Sequence, residues 1–144
     1  MGQPTWREIR KLKVPGDAKM AWTPAMDFVT PGKLYRIIVD AKQEWKPDSG
    51  SAKCNADGDA TVKLSSEVVL STSAIGALIA KIGGSTADLK PDTNKVTVFS
   101  AGRHCVFSVA DATKAGPLYL GINDLPNSQA KVAGQIEVTI EESL

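Results

Sequence analysis

Apolar and polar residues alternate along most of this chain, so the dominant period is two rather than 3.6. Between Gln135 and Glu141, Ile136, Val138 and Ile140 alternate with Gln135, Glu137, Thr139 and Glu141. Successive side chains on a strand point to opposite faces, so the segment predicts a strand with one dry face and one wet face. Tyr35–Ala41 has the same form, with Tyr35, Ile37, Val39 and Ala41 opposite Arg36 and Asp40. Lys95–Phe99 sets Val96 and Val98 on one side. His104–Val109 sets Cys105, Phe107 and Val109 against His104 and Ser108. Leu118, Leu120 and Ile122 form a further stripe, and Lys11–Val14 points Leu12 and Val14 inward. Short strands are expected at Val62 with Leu64 and at Glu67–Ser71. Trp6, Ile9 and Lys13 also fit a short N-terminal helix, as an alternative to a strand there. Ser73–Ile82 carries both periods, and a strand from about Ala77 onward is the preferred reading.

Turn-forming pairs separate these runs: Pro15-Gly16, Pro31-Gly32, Asp57-Gly58, Gly83-Gly84, Ala101-Gly102 and Gly116-Pro117. Short strands punctuated in this way predict an antiparallel sandwich or barrel. The stretch Lys42–Ala60 is rich in polar and turn residues and reads as one long loop. A loop of that length in a compact domain is either functional or a plain crossover.

Length and composition narrow the classes. The 144 residues, 42% of them hydrophobic, suit a single folded domain over 1–144. Seventeen basic and sixteen acidic side chains leave a net charge of +1, which gives no general attraction for nucleic acid. One histidine and two cysteines nearly exclude a metal site built from those residues. No apolar run is long enough to span a membrane as a helix, and the N-terminus has no signal-peptide core. A cytoplasmic location is expected, or export without a cleaved signal, with Cys54 and Cys105 as free thiols.

Three stretches together carry a resemblance. The first runs from Trp22-Thr23 through Met26-Asp27-Phe28-Val29-Thr30-Pro31-Gly32-Lys33 to Ile37-Ile38-Val39-Asp40-Ala41 and Trp45. The second is Gly76-Ala77-Leu78-Ile79-Ala80-Lys81-Ile82-Gly83-Gly84, followed by Phe99-Ser100-Ala101-Gly102. The third is Leu118-Tyr119-Leu120-Gly121-Ile122-Asn123-Asp124, ending at Gly134-Gln135-Ile136-Glu137-Val138. In this order the chain resembles the PA-IL-like family of calcium-dependent galactose-binding lectins, domains of which also occur attached to other bacterial proteins.

The resemblance implies an all-β, jelly-roll β-sandwich with a galactose-binding-like site at one end, and assembly into homo-oligomers. It implies calcium ligands at Asp124, at Ser128 and at the Trp45 carbonyl, with Asn123 beside them. The family's consecutive pair of polar ligands falls here on Lys131 and Val132. Valine offers no side-chain oxygen, and lysine brings a positive charge to a site for a divalent cation. The implied set is therefore incomplete, calcium is not expected as a cofactor, and Lys131 is a candidate substitute for the cation beside Asp124. A metal-free sugar site would use Trp45, Asn123, Asp124, Ser128 and Lys131. Such a site needs an aromatic platform, for which Trp45 and Trp22 are candidates, although each also reads as a plug of the sandwich end.

Other constellations are weaker. Asn55-Ala56-Asp57-Gly58-Asp59 spaces its oxygens like a calcium loop but lacks that loop's glycine and glutamate, and reads as an Asp-Gly turn. His104 and Cys105 are adjacent on a strand and so face opposite ways, which rules out a local catalytic dyad. Arg7, Arg10, Lys11 and Lys13 form a small basic cluster near Trp6. The expected function is a carbohydrate-binding, lectin-like module without catalysis. The alternative is a relative that binds no sugar and acts in protein contacts or assembly.

Overall fold

The structure is a computed structural model that describes residues 5–15, 22–47, 53–62, 68–87, 91–92, 94–124 and 133–144. These residues form an all-β sandwich of two antiparallel sheets, as the alternating pattern predicts. In chain order the strands are β1 (Trp6–Pro15), β2 (Thr23–Met26), β3 (Tyr35–Ile38), β4 (Trp45–Lys46) and β5 (Asp57–Asp59). They continue with β6 (Ile75–Ile82), β7 (Thr97–Ser100), β8 (His104–Phe107), β9 (Leu118–Ile122) and β10 (Ala133–Ser143). One 3₁₀ turn, Ala112–Lys114, is capped by Asp111.

The first sheet runs β1-β10-β3-β8, with β4 paired to the start of β10. The second runs β2-β9-β6-β5, with β7 also paired to β6. The alternation decides what lies between them. Leu12 and Val14 of β1, Tyr35 and Ile37 of β3, and Ile136, Val138 and Ile140 of β10 face Leu78, Ala80, Ile82, Leu118, Leu120 and Ile122. The opposite face of the first sheet is wet and laced with charge. Arg36 binds Glu141 and lies 4.4 Å over the Trp6 ring, while Arg7 and Lys33 both reach Glu142. The Arg7 and Lys33 bonds hold the Glu142 carboxyl below the ordinary range.

Two expectations change and one is extended. The strand expected at Lys11–Val14 is present and begins earlier, at Trp6, where its ladder with Gln135–Ser143 leaves no place for the alternative N-terminal helix. Lys42–Ala60 is not an uninterrupted loop. Trp45 and Cys54 form a two-way backbone bridge, and β4 and β5 lie within the stretch. Val62 and residues 68–71 lie in turns and bends rather than strands, and Leu64 and Glu67 fall outside the described residues.

Two further points were not legible. β2 contains Pro24, which masks the strand signal, and it tolerates that proline because β2 is an edge with a register shift between Pro24 and Met26. β6 begins at Ile75, and all eight of its residues are buried. Since Leu78, Ala80 and Ile82 face the core, Ala77, Ile79 and Lys81 are buried on the other face of the sheet. A near-continuous apolar run is what such a two-sided strand requires. No helix among the described residues is long and apolar enough to cross a membrane.

Candidate functional site

The end of the sandwich where the resemblance puts a ligand is built from the exit of β9, the entry of β6 and β4. Asn123 follows β9 directly and is fully buried. Its backbone continues the sheet past the last strand residue, donating to Ala77 O (2.9 Å) and accepting from Gly76 N (2.8 Å). Its side chain faces the segment 70–74. There Oδ1 accepts from Leu70 N at 2.9 Å, while Nδ2 donates to Leu70 O (2.9 Å), Ser73 O (2.9 Å) and Ala74 O (3.1 Å). An amide has two donors and one carbonyl, so this environment uses its bonding capacity inside the protein. Asn123 fastens a turn.

Trp45 joins the same arrangement from below. Its indole Nε1 donates to Gly76 O at 2.6 Å, and the ring is only 1% exposed. The chain of contacts from Trp45 through Gly76 to Asn123 therefore brings two expected site residues together, but as neighbours in the interior. The Trp45 carbonyl, expected to face a cation, accepts from Cys54 N at 2.9 Å. Trp22 is also 1% exposed and lies beneath the Lys81 ammonium, 4.9 Å from it. Neither tryptophan offers a ring face on which a sugar could stack.

Asp124 is fully buried, and its carbonyl accepts from Val69 N at 3.2 Å. Ser128, Lys131 and Val132 lie outside the described residues, so the expected approach of Lys131 to Asp124 is outside them too. Calcium needs about six to eight oxygens, several of them charged. Among the described residues the implied set reduces to Asp124 and a Trp45 carbonyl that already accepts a hydrogen bond. That donor set does not fit the ion, and no described group of three or more His, Cys, Asp or Glu side chains is arranged to hold a metal.

Glycine decides how tightly this end closes. Gly76 has φ +81°, and a Cβ there would lie 2.5 Å from Cys54 Sγ and 3.1 Å from Pro47 Cγ. Only glycine lets β6 approach the Trp45–Cys54 bridge so closely. Burial, with Asp59 and Glu44 nearby, pushes the Cys54 thiol up to about 11, so it stays protonated at neutral pH. Just outside lies a polar hollow of about 320 Å³ lined by Glu44, Lys53, Cys54, Asn55, Gly58, Asp59 and Ala60. Asp57 of β5 turns away from it to accept from Arg103 Nε (2.7 Å) and Arg103 N (2.9 Å). Gly58 N closes a turn onto Asn55 O, but Asp57 and Gly58 themselves lie in the strand β5 paired with β6, where an Asp-Gly turn was expected.

A different opening lies along the side of the sandwich, between the edges β7 and β8. It is a cleft of about 510 Å³, walled by Ile82, Phe99, Cys105, Val106, Phe107 and Val109, with Thr97, Ser108, Asp111 and Lys114 around it. Phe99 and Phe107 meet at 5.1 Å across the two sheets, and Tyr35 stacks behind Phe107 at 5.5 Å. His104 is exposed and Cys105 half-buried on the other face, as their adjacency predicts. No motif marks this cleft. Its one sequence signal is that β7 and β8 carry no charged side chain other than the histidine.

Lys81 was also missed. It is fully buried on β6, donates to Ser85 O at 2.5 Å, and lies 4.9 Å from both the Trp22 and Tyr119 rings. A lone lysine inside an otherwise apolar strand was the available signal. The basic cluster near the N-terminus is partly committed, since Arg7 pairs with Glu142 and Arg10 Nη1 donates to Ala25 O at 2.9 Å. No protein-family model matches the chain, and no curated protein matches it.

Proposed function

We propose that this protein is a non-catalytic recognition module that works by protein contact along the open β7/β8 side of its sandwich. The observation that carries the reading is the contrast in bonding state. The Asn123 amide and both candidate tryptophans are consumed by the interior, while the β7/β8 side keeps an apolar cleft with an exposed valine beside it. Apolar surface left open on a small domain marks contact with another molecule. The absence of catalysis is supported by the protonated Cys54 thiol and by a His104 that faces away from Cys105.

A second reading, metal-free carbohydrate binding, is favoured by the polar hollow. Glu44, Lys53, Asn55 and Asp59 offer donors and acceptors of the kind that sugar hydroxyls require. Calorimetry with calcium and methyl galactosides, followed by a glycan array, separates the two. The contact reading expects no calcium-dependent galactoside heat and no glycan signal. Galactoside binding that needs calcium overturns it in favour of the lectin family's mode. Calcium-independent glycan binding lost in Asp59→Ala overturns it in favour of the hollow.

A further inference from the structure

The β7/β8 side joins two features that suit different parts of one molecule. β8 is the edge of the first sheet, and among the described residues it pairs with β3 alone. Beside it runs the apolar cleft of about 510 Å³. Other edges are guarded. β1 carries Arg7, Arg10, Lys11 and Lys13, β2 has Pro24 and a register shift, and β5 has two aspartates in three residues. Charge, proline and irregularity are the usual ways of blunting an edge. The two strands that flank the cleft carry none of these beyond the imidazole of His104.

The register shows which backbone groups of β8 point outward. Val39 N donates to Arg103 O and Gly32 N to Val109 O, both at 2.8 Å, so residues 103 and 109 face β3. Alternation along an antiparallel strand then turns the N–H and C=O groups of His104, Val106 and Ser108 away from β3. Val106, at the middle of the three, is 47% exposed. These outward groups recur about every 7 Å, the two-residue repeat of an extended peptide. In a strand added beyond β8, the residues opposite Cys105 and Phe107 put their side chains on the core face, where the cleft lies. The residues opposite His104, Val106 and Ser108 point to the wet face.

We infer that this side binds an extended segment of another protein, which pairs antiparallel with β8 and sets two apolar side chains, two positions apart, into the Phe99–Phe107 cleft. The inference rests on the reading of the β7/β8 side as the contact surface and gives that reading its partner. A small apolar molecule would fill the cleft but leave the row of backbone groups to water. A second copy of this chain fits the edge but not the cleft. It would bring its own Cys105 and Phe107 to the core face, and Phe107 already packs against Tyr35 at 5.5 Å and Phe99 at 5.1 Å. An extended segment has its apolar side chains to spare. Main-chain bonds then give affinity, and the cleft selects apolar side chains at alternate positions. Its volume falls within the range of about 300–1,000 Å³ that ligand pockets span. Asp111 and Lys114 at the rim bring one charge of each sign, so the segment needs no net charge of its own.

The test is calorimetry of the intact chain with two short blocked peptides, one alternating threonine with phenylalanine and one alternating threonine with leucine, each ended by lysines. At least one is expected to bind. Alanine at its apolar positions should weaken binding at least about tenfold, and so should methylation of its threonine amides, which face β8. Methylation of the apolar residues' amides, which face away, should change it less than about threefold. On the protein, Val106→Pro removes one outward N–H and no bond to β3, and should also weaken binding about tenfold. Hydrogen exchange reads the same edge without substitution. The peptide should protect the amides of His104, Val106 and Ser108, while those of Cys105 and Phe107 are protected with or without it. Silence of both peptides at millimolar concentration overturns the inference. So does binding that survives both threonine-amide methylation and Val106→Pro, which would give the cleft to a small apolar ligand. A dimer on sedimentation that protects the same three amides without peptide overturns it in favour of a second copy. The galactoside and glycan titrations are read separately, so strand pairing can fail while the contact reading stands with a folded surface as partner.

Discussion

The Trp45–Asn123 end and the β7/β8 side are both places where the sandwich stops, and they stop in opposite ways. At the first, the polar and aromatic side chains of Asn123, Trp45 and Cys54 point into the protein and bond to its backbone, and only the buried Ser73 hydroxyl has no partner among the described residues. Asn123 holds the 70–74 turn, Trp45 holds Gly76, and the thiol of Cys54 sits within 3.8 Å of Gly76 O. At the second, no described polar group closes the gap, and the space between Phe99 and Phe107 opens to the surface. Residues that look like ligands in the sequence can thus be the ones that shut a fold, while an opening arises where the sequence offers only short, uncharged strands. A buried polar group costs free energy unless its partners are fixed, so an end closed in this way is rigid by necessity.

The most severe challenge to that contrast is Asn123→Ala. It leaves Leu70 N–H and the carbonyls of Leu70, Ser73 and Ala74 without their buried partner. The expected loss is about 3–4 kcal/mol in urea unfolding, since each stranded polar group carries a desolvation cost. A loss below about 1 kcal/mol would mean that water reaches this end and that it is as open as the other. Gly76→Ala comes next, at about 2 kcal/mol, from the positive φ and the contact with sulfur. Adding Cys54→Ala should recover only the steric part, because the backbone strain at φ +81° remains. Full recovery in the double variant would assign the whole effect to the sulfur.

How much of this was legible follows from what each feature depends on. The strands β3, β8, β9 and β10 were readable because each has one dry face and so writes its period into the sequence. β6 was harder, because burial of both faces erases the alternation, and β2 was hidden by Pro24, whose acceptability depends on being at an edge. The pairing of Trp45 with Cys54 depends on chain closure between positions nine apart, which no local pattern encodes. Of the residues expected at the candidate site, Trp45 and Asn123 meet through Gly76, while Asp124 is buried beside Val69. Their orientation was not legible. A buried asparagine bonded to a turn and an asparagine facing a ligand have the same spelling, and only the position of Leu70, Ser73 and Ala74 distinguishes them.

Each region carries one thiol, which gives a direct comparison of closure. Cys54 is 7% exposed behind the Trp45 bridge, and Cys105 lines the cleft half-buried. Burial raises both thiols above the ordinary value, Cys54 to about 11. Both should therefore alkylate slowly at neutral pH and faster in base. Cys105 should lead by about tenfold or more in mass-resolved iodoacetamide labelling, a difference of about 1.4 kcal/mol in access. Equal rates would show that the Trp45 end opens as readily as the cleft.

The smallest effect belongs to the ion pair that ties the two regions. Arg103 stands at the start of β8, and Asp57 lies on β5, in the other sheet. Burial nudges the Asp57 carboxyl upward, but the backbone N–H, the guanidinium bond and the charge of Arg103 outweigh it and hold it below 3.8. A carboxyl depressed in the folded state stabilises fully above its unfolded value. That contribution declines as pH falls through the folded value. Arg103→Ala should thus cost less than about 1 kcal/mol at neutral pH, because both partners are about half exposed and solvent screens them. The difference between variant and wild type should shrink as pH drops below about 4 and approach the loss of the neutral contact alone. Thermal unfolding of both proteins from pH 7 to pH 2 reads this directly. A gap that stays constant across the range would mean that the uncharged packing of the Arg103 side chain, and not its charge on Asp57, is what the variant loses.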